Sequence, residues 1–179
     1  MRMTMQVDAI IAKEIGTLKV DCQPGCSWCC HQLVVLTHAA DGDAILDLAR
    51  QRTSDKEFAQ IVRKIKNQAR EINALPHHLA EQKAWPCPLL KNKRCLVYEV
   101  RPIACRSVVS PDNKCCKAML NASDFDELPV EYQRIASDIM ERAINIQLRV
   151  NNQRPIDGAV ELRSLLVSIL DQKNQPDLH

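Results

Sequence analysis

Four cysteines stand within nine residues, in the run Cys22-Gln-Pro-Gly-Cys26-Ser-Trp-Cys29-Cys30. Five more, Cys87, Cys95, Cys105, Cys115 and Cys116, fall within thirty, and the stretches 31–86 and 117–179 contain none. Buried thiols used only as small apolar packing would be scattered. Clumped thiols point instead to metal ligation or redox chemistry. If residues 26–30 form one helical turn, the i, i+3, i+4 spacing puts Cys26, Cys29 and Cys30 on a single face. Pro24-Gly25 turns the chain so that Cys22 can swing back toward it. Zinc takes four such sulfurs at about 2.3 Å, and an iron–sulfur cluster is also held by thiolates. Sulfur donors exclude calcium and magnesium but do not separate zinc from iron.

The second cysteine stretch has a different character. Pro86 and Pro88 flank Cys87, forbid helix there and hold the chain extended. Asn92 suits the turn of a hairpin-like loop between Cys87 and Cys95. Residues 87–117 carry seven basic side chains (Lys91, Lys93, Arg94, Arg101, Arg106, Lys114, Lys117) against two acidic ones, Glu99 and Asp112. Cations near thiols favour the thiolate and offset the negative charge of a tetrathiolate metal site. Arg101 and Arg106, close in sequence to Cys105, are the candidates for that outer layer, with His31 beside Cys30.

The elements that must position these thiols read as helices. Val7, Ile10, Ile11, Ile15 and Leu18 mark a helix over 7–19, and a short extended segment, Leu33–Leu36, leads to a helix over about 43–52. Ser54 and Glu57 form a capping box for a helix buried through Phe58, Ile61, Ile65, Ala69 and Ile72 and ended by Pro76. Residues 76–128, with prolines at 76, 86, 88, 102 and 111, read as irregular. Pro129, at N1, opens a helix to about Asn151 through Ile135, Ile139, Ala143, Ile146 and Val150. A last helix over about 158–172 buries Leu162, Leu165, Leu166, Ile169 and Leu170.

The expected fold is therefore mainly α. A helical scaffold forms a single domain over 1–179, with the irregular cysteine-rich region 22–116 packed around a metal centre and C-terminal helices over 129–172. The chain has 179 residues, 46% apolar and 26% charged, and a net charge of +2, so it carries no electrostatic footprint for nucleic acid. No apolar run reaches the roughly 18 residues that span a bilayer. The start lacks the basic-then-apolar pattern of an export signal, so the expected location is the reducing cytoplasm.

Cys26-x2-Cys29-Cys30 followed by CPLLKNKRCLVYEVRPIACR resembles the YkgJ-type cysteine-cluster family, also called CxxCxxCC, over roughly residues 22–116. The resemblance implies a zinc- or iron-chelating domain. Its ligands would be Cys22, Cys26, Cys29, Cys30, Cys87, Cys95, Cys105 and one of Cys115 or Cys116, with zinc, iron or an iron–sulfur cluster as cofactor. This chain departs by spacing Cys22 three residues from Cys26 and by Ser27 in place of a glycine. Because the family includes flagellin lysine N-methylases, an S-adenosylmethionine-dependent protein lysine N-methylase acting on a protein partner is the alternative function. The four dispersed glycines supply no clustered cofactor loop for it. Trp28 before Cys29 also resembles the cluster motif of radical S-adenosylmethionine enzymes, whose barrel needs strands that this chain does not offer. A thiol–disulfide protein using the vicinal pairs is the remaining alternative; adjacent cysteines close a strained ring.

Overall fold

The computed structural model describes residues 2–23, 25–31, 34–37, 41–151 and 160–173. Among them are eight α-helices: α1 (Arg2–Ile15), α2 (Gly42–Gln51), α3 (Asp55–Asn73), α4 (His77–Gln82), α5 (Ile103–Ser107), α6 (Asn113–Asn121), α7 (Val130–Asn151) and α8 (Leu162–Lys173). Four two-residue strands, β1 (Leu36–Thr37), β2 (Leu90–Lys91), β3 (Arg94–Cys95) and β4 (Val160–Glu161), form two antiparallel pairs. The fold is mainly α, as the apolar periodicity implies. The chain divides into two compact units, Met1–Cys29 with Ile103–Asp157, and Cys30–Pro102 with Gly158–His179.

In the first unit α7 is the central helix, and α1, α5 and α6 each pack on it. Its buried face is Ala136, Ile139, Ala143, Ile146 and Val150, with Ile135 only half-buried. The stripe is thus rotated slightly from the one read in the sequence. Ile11 of α1 and Ile103 of α5 close on Ile146 and Val150, with Ile10 and Ile15 packed alongside. The carbonyl of Pro129 accepts the N–H groups of Tyr132 and Gln133, so Pro129 caps α7 instead of entering it. Helix α1 stops earlier than the expected residue 19, because Gly16 adopts φ +54° and its N–H bonds back to Ala12 O at 2.9 Å. A glycine in the left-handed region is the ordinary way to end a helix.

In the second unit α8 packs on both α3 and α2. Helix α3 begins at the expected capping box: the Ser54 hydroxyl accepts from Glu57 N and the Glu57 carboxylate accepts from Ser54 N. It buries the five expected residues, Phe58, Ile61, Ile65, Ala69 and Ile72. Facing them are Ile45, Leu46 and Ala49 of α2 and Leu162, Leu165, Leu166 and Ile169 of α8. β1 pairs with β4 in the register Leu36↔Glu161, Thr37↔Val160. Residues 158–159 of the expected last helix, Leu33 of the expected extended segment, and Pro24 lie outside the described residues.

The stretch 76–128 is more ordered than expected, since α4, α5 and α6 all lie in it. Each begins one or two residues after a proline: Pro76, Pro102 and Pro111. At a helix start a proline forfeits no intrahelical hydrogen bond, so these residues begin helices instead of preventing them.

Candidate metal centre

The first cysteine stretch is turned at Gly25, whose φ of +97° belongs to the left-handed region that a side chain resists. The turn is closed by Cys26 N–H donating to Gln23 O at 2.8 Å. It reverses the chain between Cys22 and Cys26, and the Cys26 sulfur lies near enough to add to the cost of ionising Cys22. The expected helical turn over 26–30 is instead a 3₁₀ turn over Trp28–His31, with Cys26 ahead of it. His31 ends that turn, half-buried.

Ser110 ties this stretch to α6 within the first unit. Its carbonyl accepts Asp21 N–H at 2.8 Å, and its N–H points at Cys22 Sγ at 3.4 Å. Asp21 Oδ2 accepts Asn113 N–H at 3.0 Å, at the first residue of α6. The two vicinal cysteines of α6 then part company. Cys115 is fully buried and donates its thiol to Tyr132 O of α7 at 3.5 Å. Cys116 faces the other way, with Cys22 and Cys29 in its electrostatic neighbourhood and the Ser110 hydroxyl bonded to it. Desolvation is the main cause that pushes the Cys116 thiol up to about 11, and the nearby sulfurs of Cys22, Cys115 and Cys29 add to it. Burial likewise raises Cys22, partly offset by the Ser110 N–H. Trp28, between Cys26 and Cys29, carries Lys117 Nζ over its ring at 5.7 Å. Cys105 lies half-buried on α5 beside Arg106, whose guanidinium is pushed down by burial.

In the second unit Cys87 N–H donates to Cys30 O at 2.7 Å, which joins the two cysteine stretches through their backbone. The expected hairpin is present: Leu90 pairs with Cys95 and Lys91 with Arg94. Asn92 and Lys93 turn it with φ of 50° and 59°. Positive φ at both central residues is the type I′ arrangement, whose twist suits a two-residue hairpin. Burial raises the Cys95 thiol, while Val97 N–H, Arg101 and Arg52 pull it back toward the thiolate. Arg101 stacks on Tyr98 with its Cζ at 3.6 Å from the ring centre and donates Nε to Tyr98 O at 3.0 Å.

Sequence reasoning missed Arg52 and Ser110. Arg52, just past α2, grips Glu99 through two bonds of 2.8 and 2.9 Å and donates to Leu96 O at 2.8 Å, fixing the segment that follows Cys95. Nothing in the local spacing signals it. Ser110-Pro111-Asp112 does read as a helix entry, since the Asp112 carboxylate caps α6 at Lys114 N–H.

The donor set is sulfur, which fits zinc or iron and not a hard cation. Among the described residues no three Cys, His, Asp or Glu side chains are already drawn into one coordination sphere. Protonated thiols gain nothing by converging; the bonds to a metal supply the energy that draws them in and releases their protons. Among the described residues, no helix is long and apolar enough to cross a membrane.

A family model described as "CxxCxxCC: Putative zinc- or iron-chelating domain" matches residues 21–116. That interval runs from Asp21, bonded to Ser110 and α6, to Cys116, and takes in every cysteine of both stretches. No curated protein and no solved structure matches the chain. More than half of the sequence, including all of its thiols, thus follows one pattern: the chain belongs to the CxxCxxCC family of zinc- or iron-chelating domains.

Proposed function

We propose that this protein chelates zinc or iron through Cys22, Cys26, Cys29 and Cys116 in its first unit. Cys105 serves as a further ligand there, and Cys30, Cys87 and Cys95 are the ligands of the second unit. Cys115 is a packing residue. The observation that carries this reading is the meeting of Cys22 and Cys116, far apart in the chain, at Ser110, which bonds to both, with Cys29 in their electrostatic neighbourhood. Thiols gathered in one neighbourhood, with Cys22 and Cys116 raised by burial, form a site that a soft cation would deprotonate and occupy. A bound metal supplies a cross-link between the 21–29 segment and α6, with apparent binding energy of roughly 10–16 kcal/mol for a structural zinc. This chain's own residues set the approach: Ser110 orients Cys22 and Cys116, Gly25 returns Cys26, and Arg52 and Arg101 favour the Cys95 thiolate.

The test is elemental analysis and an ultraviolet–visible spectrum of protein purified without oxygen. Stoichiometric zinc in colourless protein, or iron and sulfide with absorbance near 400 nm, supports the reading and decides between its two metals. Folded protein that is metal-free and takes up neither zinc nor iron under reducing conditions overturns it.

A further inference from the structure

Arg163 is 1% exposed. A buried guanidinium is costly to desolvate, and well-packed apolar residues commonly stabilise a core as well. Its hydrogen bonds show what the charge is used for. Nη1 pairs with Glu161 Oε1 at 2.8 Å, Nη2 donates to Trp85 O at 3.1 Å, and Nε donates to Gln68 Oε1 at 2.7 Å. The Gln68 amide, oriented by accepting from Arg163, donates Nε2 to Pro86 O at 2.8 Å. Two consecutive carbonyls, those of Trp85 and Pro86, are therefore gripped immediately before Cys87, whose own N–H is bonded to Cys30 O at 2.7 Å.

The anchors of this clamp are themselves fixed. Glu161 Oε2 accepts Ser164 N–H at 3.0 Å at the start of α8, and Leu162 N–H bonds to Val35 O at 2.8 Å. Trp85 is held by Nε1 donating to Ala80 O at 2.7 Å and packs with Ile72 and Ala80. The planar fork of a guanidinium, with five donors in fixed directions, spreads over a carboxylate, an amide oxygen and a carbonyl in a way that a point-like ammonium does not match.

We infer that Arg163, relayed through Gln68, is a positioning residue that holds the Trp85-Pro86-Cys87 backbone so that Cys87 and Cys30 are set for metal capture. The inference rests on the reading of Cys87 and Cys30 as ligands. Its logic is that of any outer layer around a metal: fixing a ligand beforehand removes the ordering cost from the binding step.

The experiment titrates the full-length, reduced apo protein with Co(II), using thiolate-to-cobalt absorption and competition with a chelator of known affinity. Gln68→Leu removes the bond to Pro86 O. Gln68→Glu, which keeps an acceptor for Arg163 but no donor for Pro86 O, replaces it should the leucine variant fail to fold by circular dichroism. Asn73→Leu is the structural control. It breaks a different bond between α3 and α8, Asn73 Nδ2 to Ser164 Oγ at 3.1 Å, and touches neither carbonyl. The Gln68 variant is expected to lose about tenfold or more in Co(II) affinity with an altered charge-transfer band, whereas Asn73→Leu stays within about twofold of the parent. A Gln68 variant within twofold of the parent, or an Asn73→Leu loss equal to that of Gln68, overturns the positioning role. Cys87→Ser separates this from the underlying reading: if it leaves cobalt stoichiometry and the thiolate band intact, Cys87 is not a ligand.

Discussion

Replacing Cys115 and Cys116 one at a time by alanine separates packing from ligation at adjacent positions. Cys115 is fully buried between α6 and α7, so alanine removes one large, wholly desolvated atom. Burial of that atom is comparable to that of a methylene, about 0.8 kcal/mol, and the incompletely collapsed cavity adds a similar amount. The long thiol bond to Tyr132 O adds a few tenths at most, because that carbonyl also has its helical donor. The expected loss for Cys115→Ala is about 1–2 kcal/mol of apo-protein stability, with Co(II) stoichiometry and the thiolate band unchanged. Cys116 is half-buried, so Cys116→Ala should cost the apo protein under about 1 kcal/mol. It should, however, weaken metal binding and dim the thiolate-to-cobalt band. Urea unfolding with chelator and reductant gives the first quantity, and cobalt titration gives the second. If Cys115→Ala lowers the metal count while Cys116→Ala does not, the two side chains have been assigned the wrong way round and the argument from burial fails.

Lys93→Gly, at a residue with φ of 59°, should relieve left-handed strain and stabilise the second unit by up to about 1 kcal/mol in urea unfolding. Ser54→Ala removes the α3 cap and should cost about 1 kcal/mol, read in the same way, without changing metal content. Glu57 is held down to about 2 by Lys91 and by the Ser54 cap, against 4.5 unperturbed. A carboxylate depressed on folding stabilises above its unfolded pKa, and that contribution fades as pH falls from about 4.5 toward 2. Lys91→Met should therefore narrow the stability gap between pH 6 and pH 3 in unfolding curves, slightly because the pair is exposed; an unchanged gap would show that Lys91 does not hold the Glu57 charge.

How much was legible depended on how far apart in sequence the interacting groups lie. Helix α3 could be read almost residue for residue, since Ser54, Glu57 and its five apolar positions all act within the helix. The hairpin was legible through Asn92 and the rigid prolines at Cys87, although Lys93 gave no hint that it too takes a positive φ. Helices α4, α5 and α6 were missed because Pro76, Pro102 and Pro111 were weighed as breakers without asking on which side the helix would lie. The cysteine clumps announced soft-metal chemistry, but the fates of Cys115 and Cys116 depend on which one faces α7, and adjacent residues differ there only through packing. Arg52, Gln68 and Arg163 were invisible because most of their partners lie far off in the chain: Leu96 is 44 positions from Arg52, Trp85 78 from Arg163, and Gln68 and Arg163 are 95 apart. The register of such bonds exists only once the helices have docked.

The chain has two tryptophans, and each lies beside a thiol group: Trp28 between Cys26 and Cys29, Trp85 two residues before Cys87. A lysine lies over each indole, Lys117 over Trp28 in the first unit and Lys83 over Trp85 in the second, where Trp85 is buried with Ile72 and Ala80. Intrinsic fluorescence is thereby an optical gauge with two separate channels. Trp28→Phe and Trp85→Phe would silence them in turn, so the loading of each thiol group could be followed in unlabelled protein, in real time, as ions arrive or are withdrawn.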